Sequence, residues 1–75
     1  MWKERITHDP RKMGGKPCIR NMRITVGTIM GLIAGGLAKE RILEAYPDLE
    51  PDDIDAVLHY AAWRLMEREE DLVPA

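Results

Sequence analysis

Residues 50–66 read Glu50-Pro51-Asp52-Asp53-Ile54-Asp55-Ala56-Val57-Leu58-His59-Tyr60-Ala61-Ala62-Trp63-Arg64-Leu65-Met66. Pro51 falls in the first helical turn, where its missing N–H removes no intrahelical bond. The carboxylates of Asp52 and Asp53 lie beside the positive end of the helix dipole. Ile54, Val57, Leu58, Ala61 and Leu65 then recur at helical spacing through about four turns, which predicts one long amphipathic helix. Tyr60, Trp63 and Glu67 form a neighbouring line on the same helix. A small core struggles to cover both lines, so Tyr60, Trp63 and Met66 are expected to meet a second protein surface. The competing reading folds Trp63 back over the N-terminal strands.

Moving toward the N-terminus, Tyr46-Pro47-Asp48-Leu49 forms a short turn, and Pro47 stops a helix expected over about Lys39 to Ala45. Ile42, Leu43 and Tyr46 anchor that helix. Ala38 stands where a capping hydroxyl would accept a backbone hydrogen bond, an omission of about 1 kcal/mol. A further helix is expected over roughly Val26 to Ala34, because Val26, Ile29, Met30 and Ile33 share one face. Thr25 can cap it, and Gly35-Gly36 supplies the left-handed residue that follows a helix end. Before it, Arg5-Ile6-Thr7 is extended until Asp9-Pro10 forces a turn. Cys18 to Val26 reads as two short arms meeting near Asn21-Met22, since Asn tolerates positive φ. The reading is mainly α: one domain with a basic N-terminal β-arm and loop over 1–25, a three-helix core over 26–70, and a frayed tail over 71–75.

Composition narrows the function. Seventy-five residues make one small domain. Such a chain buries only about 60–65% of its unfolded surface, so it needs a disulfide, a metal or a second subunit for security. The single Cys18 cannot close a disulfide within the chain, and it points to a reducing, cytoplasmic setting. His8, His59 and Cys18 lack the paired spacing of metal ligands, so no cofactor or metal is expected. Self-association as a homodimer remains. No apolar run reaches the roughly 18–20 residues of a membrane span, and the opening Met-Trp-Lys-Glu-Arg does not read as a signal peptide.

Charge divides along the chain. Through Lys39 there are eight bases against Glu4 and Asp9; from Glu40 onward there are eleven carboxylates against Arg41, Arg64 and Arg68. Such asymmetry suits two different partners, or two copies set head to tail. The plainer reading is a pair of solvated faces that keep a small protein in solution.

Nothing in the pattern supports catalysis. Asp52, Asp53 and Asp55 cluster at a helix start, where capping explains them, and His8 has no nearby nucleophile. Gly14-Gly15-Lys16-Pro17 lacks the spacing of a phosphate loop, and Pro17 removes a backbone donor. The last two helices have helix-turn-helix proportions, but the leading end of the second is acidic and would repel DNA. Candidate DNA contacts are therefore Arg11, Lys12, Lys16, Arg20 and Arg23, mostly to phosphate and hence salt-dependent.

Several segments carry a resemblance: Asp9-Pro10, Gly14-Gly15-Lys16-Pro17-Cys18-Ile19-Arg20, Arg23-Ile24-Thr25-Val26, Gly35-Gly36-Leu37, Ile42 to Leu49 and Asp53 to Ala62. In order and spacing this run resembles the small prokaryotic family called domain of unknown function number 433. The family pattern has Gly-Thr where this chain has Asn21-Met22, and Ser or Thr where it has Ala38. The resemblance implies a homeodomain-like helix-turn-helix core with an N-terminal β element, commonly dimeric. It also implies an antitoxin that neutralises a PIN-like ribonuclease toxin, with operator DNA as a second ligand. A stand-alone helix-turn-helix regulator is the alternative, and a small hydrolase is a remote third.

Overall fold

The structure, a computed structural model, describes residues 2–69. Three helices follow a small β element: α1 spans Val26–Ala34, α2 Lys39–Ala45 and α3 Pro51–Glu69. Strand β1 (Ile6–Thr7) pairs antiparallel with β2 (Cys18–Ile19), with Ile6 opposite Ile19 and Thr7 opposite Cys18. A 3-10 turn over Trp2–Glu4 precedes β1, and a second over Met13–Gly15 bridges the strands. The expected tail over 71–75 lies outside the described residues.

Local chemistry explains each boundary. Thr25 caps α1, its hydroxyl accepting from the Thr28 N–H at 3.1 Å. At the other end the Leu37 N–H reaches the Leu32 carbonyl and the Gly36 N–H reaches Ile33. Gly36 sits at φ 92°, so this is a Schellman ending whose left-handed residue carries no Cβ penalty. Ala38 adopts the extended geometry of a cap residue but offers no side-chain bond to α2. Ala38→Ser is accordingly expected to raise stability by about 1 kcal/mol, moving the melting temperature up by several degrees. A thermal melt followed by circular dichroism checks this.

The turn after β2 is displaced by one residue from expectation. Arg20 and Asn21, at φ 46° and 61°, occupy its centre, and the Met22 N–H closes it on the Ile19 carbonyl at 2.8 Å. Two successive positive φ values mark a type I′ turn, which suits Asn21 and strains Arg20. A tertiary contact of Arg20, described below, holds it there.

The β element packs into the core through Ile6 and Ile19. Ile19, Ile29, Ile42 and Val57 are wholly buried together, with Ile6, Val26, Leu49, Ile54 and Tyr60 around them. Each large aliphatic so buried contributes about 1.5–3 kcal/mol relative to exposure. The buried face of α3 is turned from the expected one. Leu58 and Leu65 are exposed, whereas Asp53, Ala56, Val57 and Tyr60 point inward. These four recur at three- and four-residue intervals from Asp53, so the stripe begins on a carboxylate. An apolar-only count misses it. From Ala62 to Met66 every side chain is exposed, and this end of α3 stands clear of the core.

Candidate interaction surfaces

Asp53 is completely buried and carries a charge network. The Arg20 Nε donates to its Oδ1 at 3.0 Å and Arg20 Nη2 to its Oδ2 at 2.8 Å, while Nη2 also donates to the Asp48 carbonyl at 2.7 Å. From the opposite side Arg5 Nη1 donates to Asp53 Oδ1 and to Glu50 Oε1, both at 2.8 Å. The Glu50 N–H completes the set, donating to Oδ2 at 2.8 Å. That last bond is the backbone half of a capping box, made by the third residue of α3 reaching back to the residue before the helix. Burial alone would push the Asp53 carboxyl up; the hydrogen bonds from Arg20, Glu50 and Arg5 more than offset it and hold it below the ordinary carboxylate value. Arg5 is correspondingly raised, chiefly by its hydrogen bonds to Glu50 and Asp53, and Arg20 by its hydrogen bonds to Asp53.

This network bears on two expectations. The Arg20 guanidinium, a candidate DNA contact, is engaged by the buried Asp53 carboxylate. The acidic start of α3 is compensated within the chain: Arg5 also lies 3.7 Å from Asp52, and Lys39 pairs with Asp55 at 3.1 Å. The clean separation of a basic front from an acidic back therefore does not hold at this junction. Of the other basic candidates, Arg11 is highly exposed and only 3.4 Å from Asp9, and Lys12 donates to the Asn21 carbonyl at 2.6 Å. Lys16 and Arg23 are exposed and without an anionic partner among the described residues.

The aromatic line on α3 divides as well. Tyr60 is buried, which corrects its placement on a partner-facing surface. Trp2 packs edge-on against it with ring centres 4.9 Å apart, and His8 Nε2 shares a 3.1 Å hydrogen bond with its hydroxyl. Trp63 lies 5.1 Å from Trp2 by ring centres yet keeps 41% exposure, and Met66 is 66% exposed. Trp63 thus leans on the N-terminal turn with one face and shows the other to solvent. A shallow hollow between Trp2, His59, Ala62, Trp63 and Met66 continues this apolar surface.

Among the described residues no set of three or more His, Cys, Asp or Glu is placed to hold a metal. No described helix is long and apolar enough to cross a membrane. Cys18 is buried and unpaired by disulfide, its thiol donating to the Lys16 carbonyl.

The family model described as Protein of unknown function (DUF433) matches residues 6–61. This chain belongs to the DUF433 family. It is 36% identical over 59 residues to the uncharacterized protein y4eO of Sinorhizobium fredii (strain NBRC 101917 / NGR234), a match over 79% of this chain and 27% of that protein. The chain therefore spans about a quarter of that relative's length. Its fold is similar to the crystal structure of a DUF433 member from Anabaena variabilis ATCC 29413, with TM-score 0.80 and 29% identity over 92% of this chain and 68% of the other. Within the DUF433 match lie Arg20 and Asp53, the centre of the buried network. Trp2, Trp63, Leu65 and Met66 lie outside the matched residues.

Proposed function

We propose that this DUF433 protein is an antitoxin-like module that binds and neutralises a partner nuclease of PIN-like type, docking through the projecting end of α3. The observation that carries the reading is the pair Trp63 and Met66, large apolar side chains left exposed beside Trp2. Exposed aromatic and Met side chains around a shallow hollow are what protein interfaces concentrate at their centres. Helix-turn-helix DNA reading has less support, because the leading end of α3 offers no free base to phosphate: Asp52 and Asp55 stand there with Arg5 and Lys39 beside them. Residual duplex affinity would rest on Arg11, Lys12, Lys16 and Arg23, and would fall steeply with salt.

The test is co-expression of tagged protein with the product of an adjacent nuclease-like reading frame. Co-purification with loss of ribonuclease activity is the expected result. If the neighbour fails to co-purify while sequence-specific duplex binding persists in moderate salt, the chain is a stand-alone regulator.

A further inference from the structure

The helical repeat turns Ala61 and Leu65 to the side of α3 away from Trp63. On that side a groove of about 680 Å³ runs between the start of α1 and the projecting end of α3. Its size is that of clefts that hold a ligand. Val26, Ala61 and Leu65 give it an apolar floor, and Leu65 keeps 60% exposure. Lys16 and Arg64 also line it, and among the described residues no Asp or Glu does. Both cations are exposed and lack an anionic partner among the described residues. Other bases are engaged within the chain: Arg5 and Arg20 meet Asp53, Lys39 meets Asp55 and Arg11 meets Asp9. In a chain whose acids outnumber its bases 13 to 11, a groove with two unpaired cations and no carboxylate selects by sign.

We infer that this groove docks an acidic amphipathic helix of a partner protein, its apolar face on Val26, Ala61 and Leu65 and its carboxylates beside Lys16 and Arg64. A helix laid into a groove is a recurring mode of peptide recognition. Covering Leu65 and the floor supplies the affinity, and the two cations supply the choice of sign and the speed of encounter. A nucleic acid would use only half of the surface. Its phosphates would find the cations, but its bases would find no open ring to stack on, because Tyr60, the aromatic residue lining the groove, is buried. The groove lies on the opposite side of α3 from Trp63, and the inference stands whether or not the nuclease reading does.

The test titrates the isotope-labelled full chain with three synthetic helical peptides of equal length, followed by NMR. One peptide carries Leu on one face and Glu on the other, the second has Lys for Glu, and the third has Ala for Leu. Saturable shifts of the Val26, Ala61 and Arg64 amides are expected with the Leu–Glu peptide, and binding at least about tenfold weaker with each of the others. Lys16→Glu with Arg64→Glu should leave amides outside the groove unmoved and transfer the preference to the Leu–Lys peptide. Leu65→Ala keeps both charges and should weaken the Leu–Glu peptide severalfold. Equal affinity for the Leu–Glu and Leu–Lys peptides overturns the inference, as does undiminished binding by the charge-reversed variant or the lack of any saturable shift. Groove amides that move with protein concentration alone assign the groove to a second copy, and groove amides that answer duplex DNA more strongly than peptide assign it to nucleic acid. Either result also overturns the inference.

Discussion

Asp53→Ala is expected to destabilise the protein by about 3 kcal/mol, lowering the melting temperature by roughly 12–24 °C in a domain of this size. Removing one member of a buried ion pair leaves the others uncompensated, and that orphaning is the main cost. The figure is set at the low end because Arg5 and Arg20 keep 28% and 34% side-chain exposure and can recover water. The Glu50 N–H also loses its acceptor, so α3 frays from its first turn. Arg20 loses what holds it at positive φ, which couples the damage to the β element. Asp53→Asn keeps an acceptor and should cost less. The same carboxylate sets an acid limit. Its folded-state value lies below its unfolded one, so its contribution is complete above about pH 4 and is lost as pH falls through the folded value. Thermal melts across that range should show unsubstituted protein losing stability on acidification and Asp53→Ala losing distinctly less. An unchanged melting temperature for Asp53→Ala at neutral pH would remove the network from its structural role.

That network also marks how far the residues could be read unaided. The three helices were legible because their signals are local: Pro51 in a first turn, Thr25 before an apolar run, Gly36 after one, and Ile42 at a spacing that only a helix brings to one face. The partners of Asp53 are not local. Arg5 and Arg20 stand 48 and 33 residues away in sequence, and nothing in their own neighbourhoods distinguishes them from Arg11 or Arg23. A carboxylate in the first turn of a helix is ordinarily solvated, so Asp53 read as a dipole partner. The one available hint was its place three residues after Glu50, where a side chain reaches back to close the helix start. Misplacing Asp53 in turn rotated the expected buried face of α3. It moved Leu58 and Leu65 inward on paper and Tyr60 outward, when the fold does the reverse.

Trp2→Ala is expected to cost about 2–3 kcal/mol, and Trp63→Ala well under half of that. Truncating a buried large aromatic costs about 3–5 kcal/mol, and Trp2 is half-buried, edge-on to the buried Tyr60. It packs against the core beside Tyr60 and Trp63 and helps hold the N-terminal turn against α3. Trp63 contributes less within the chain, since it keeps 41% exposure. The two residues touch, so their effects will not add, and the double variant should cost less than the sum. Their different burdens separate structure from docking. If the projecting end of α3 serves a partner, Trp63→Ala should leave a folded protein whose capture of that partner is weakened by on the order of thirtyfold, the loss of one central aromatic anchor. Chemical denaturation of both variants, alongside the co-purification assay, reads the two quantities independently. Equal destabilisation by both substitutions with capture unimpaired would make Trp63 a lid on the core, and the docking face would then have to lie elsewhere.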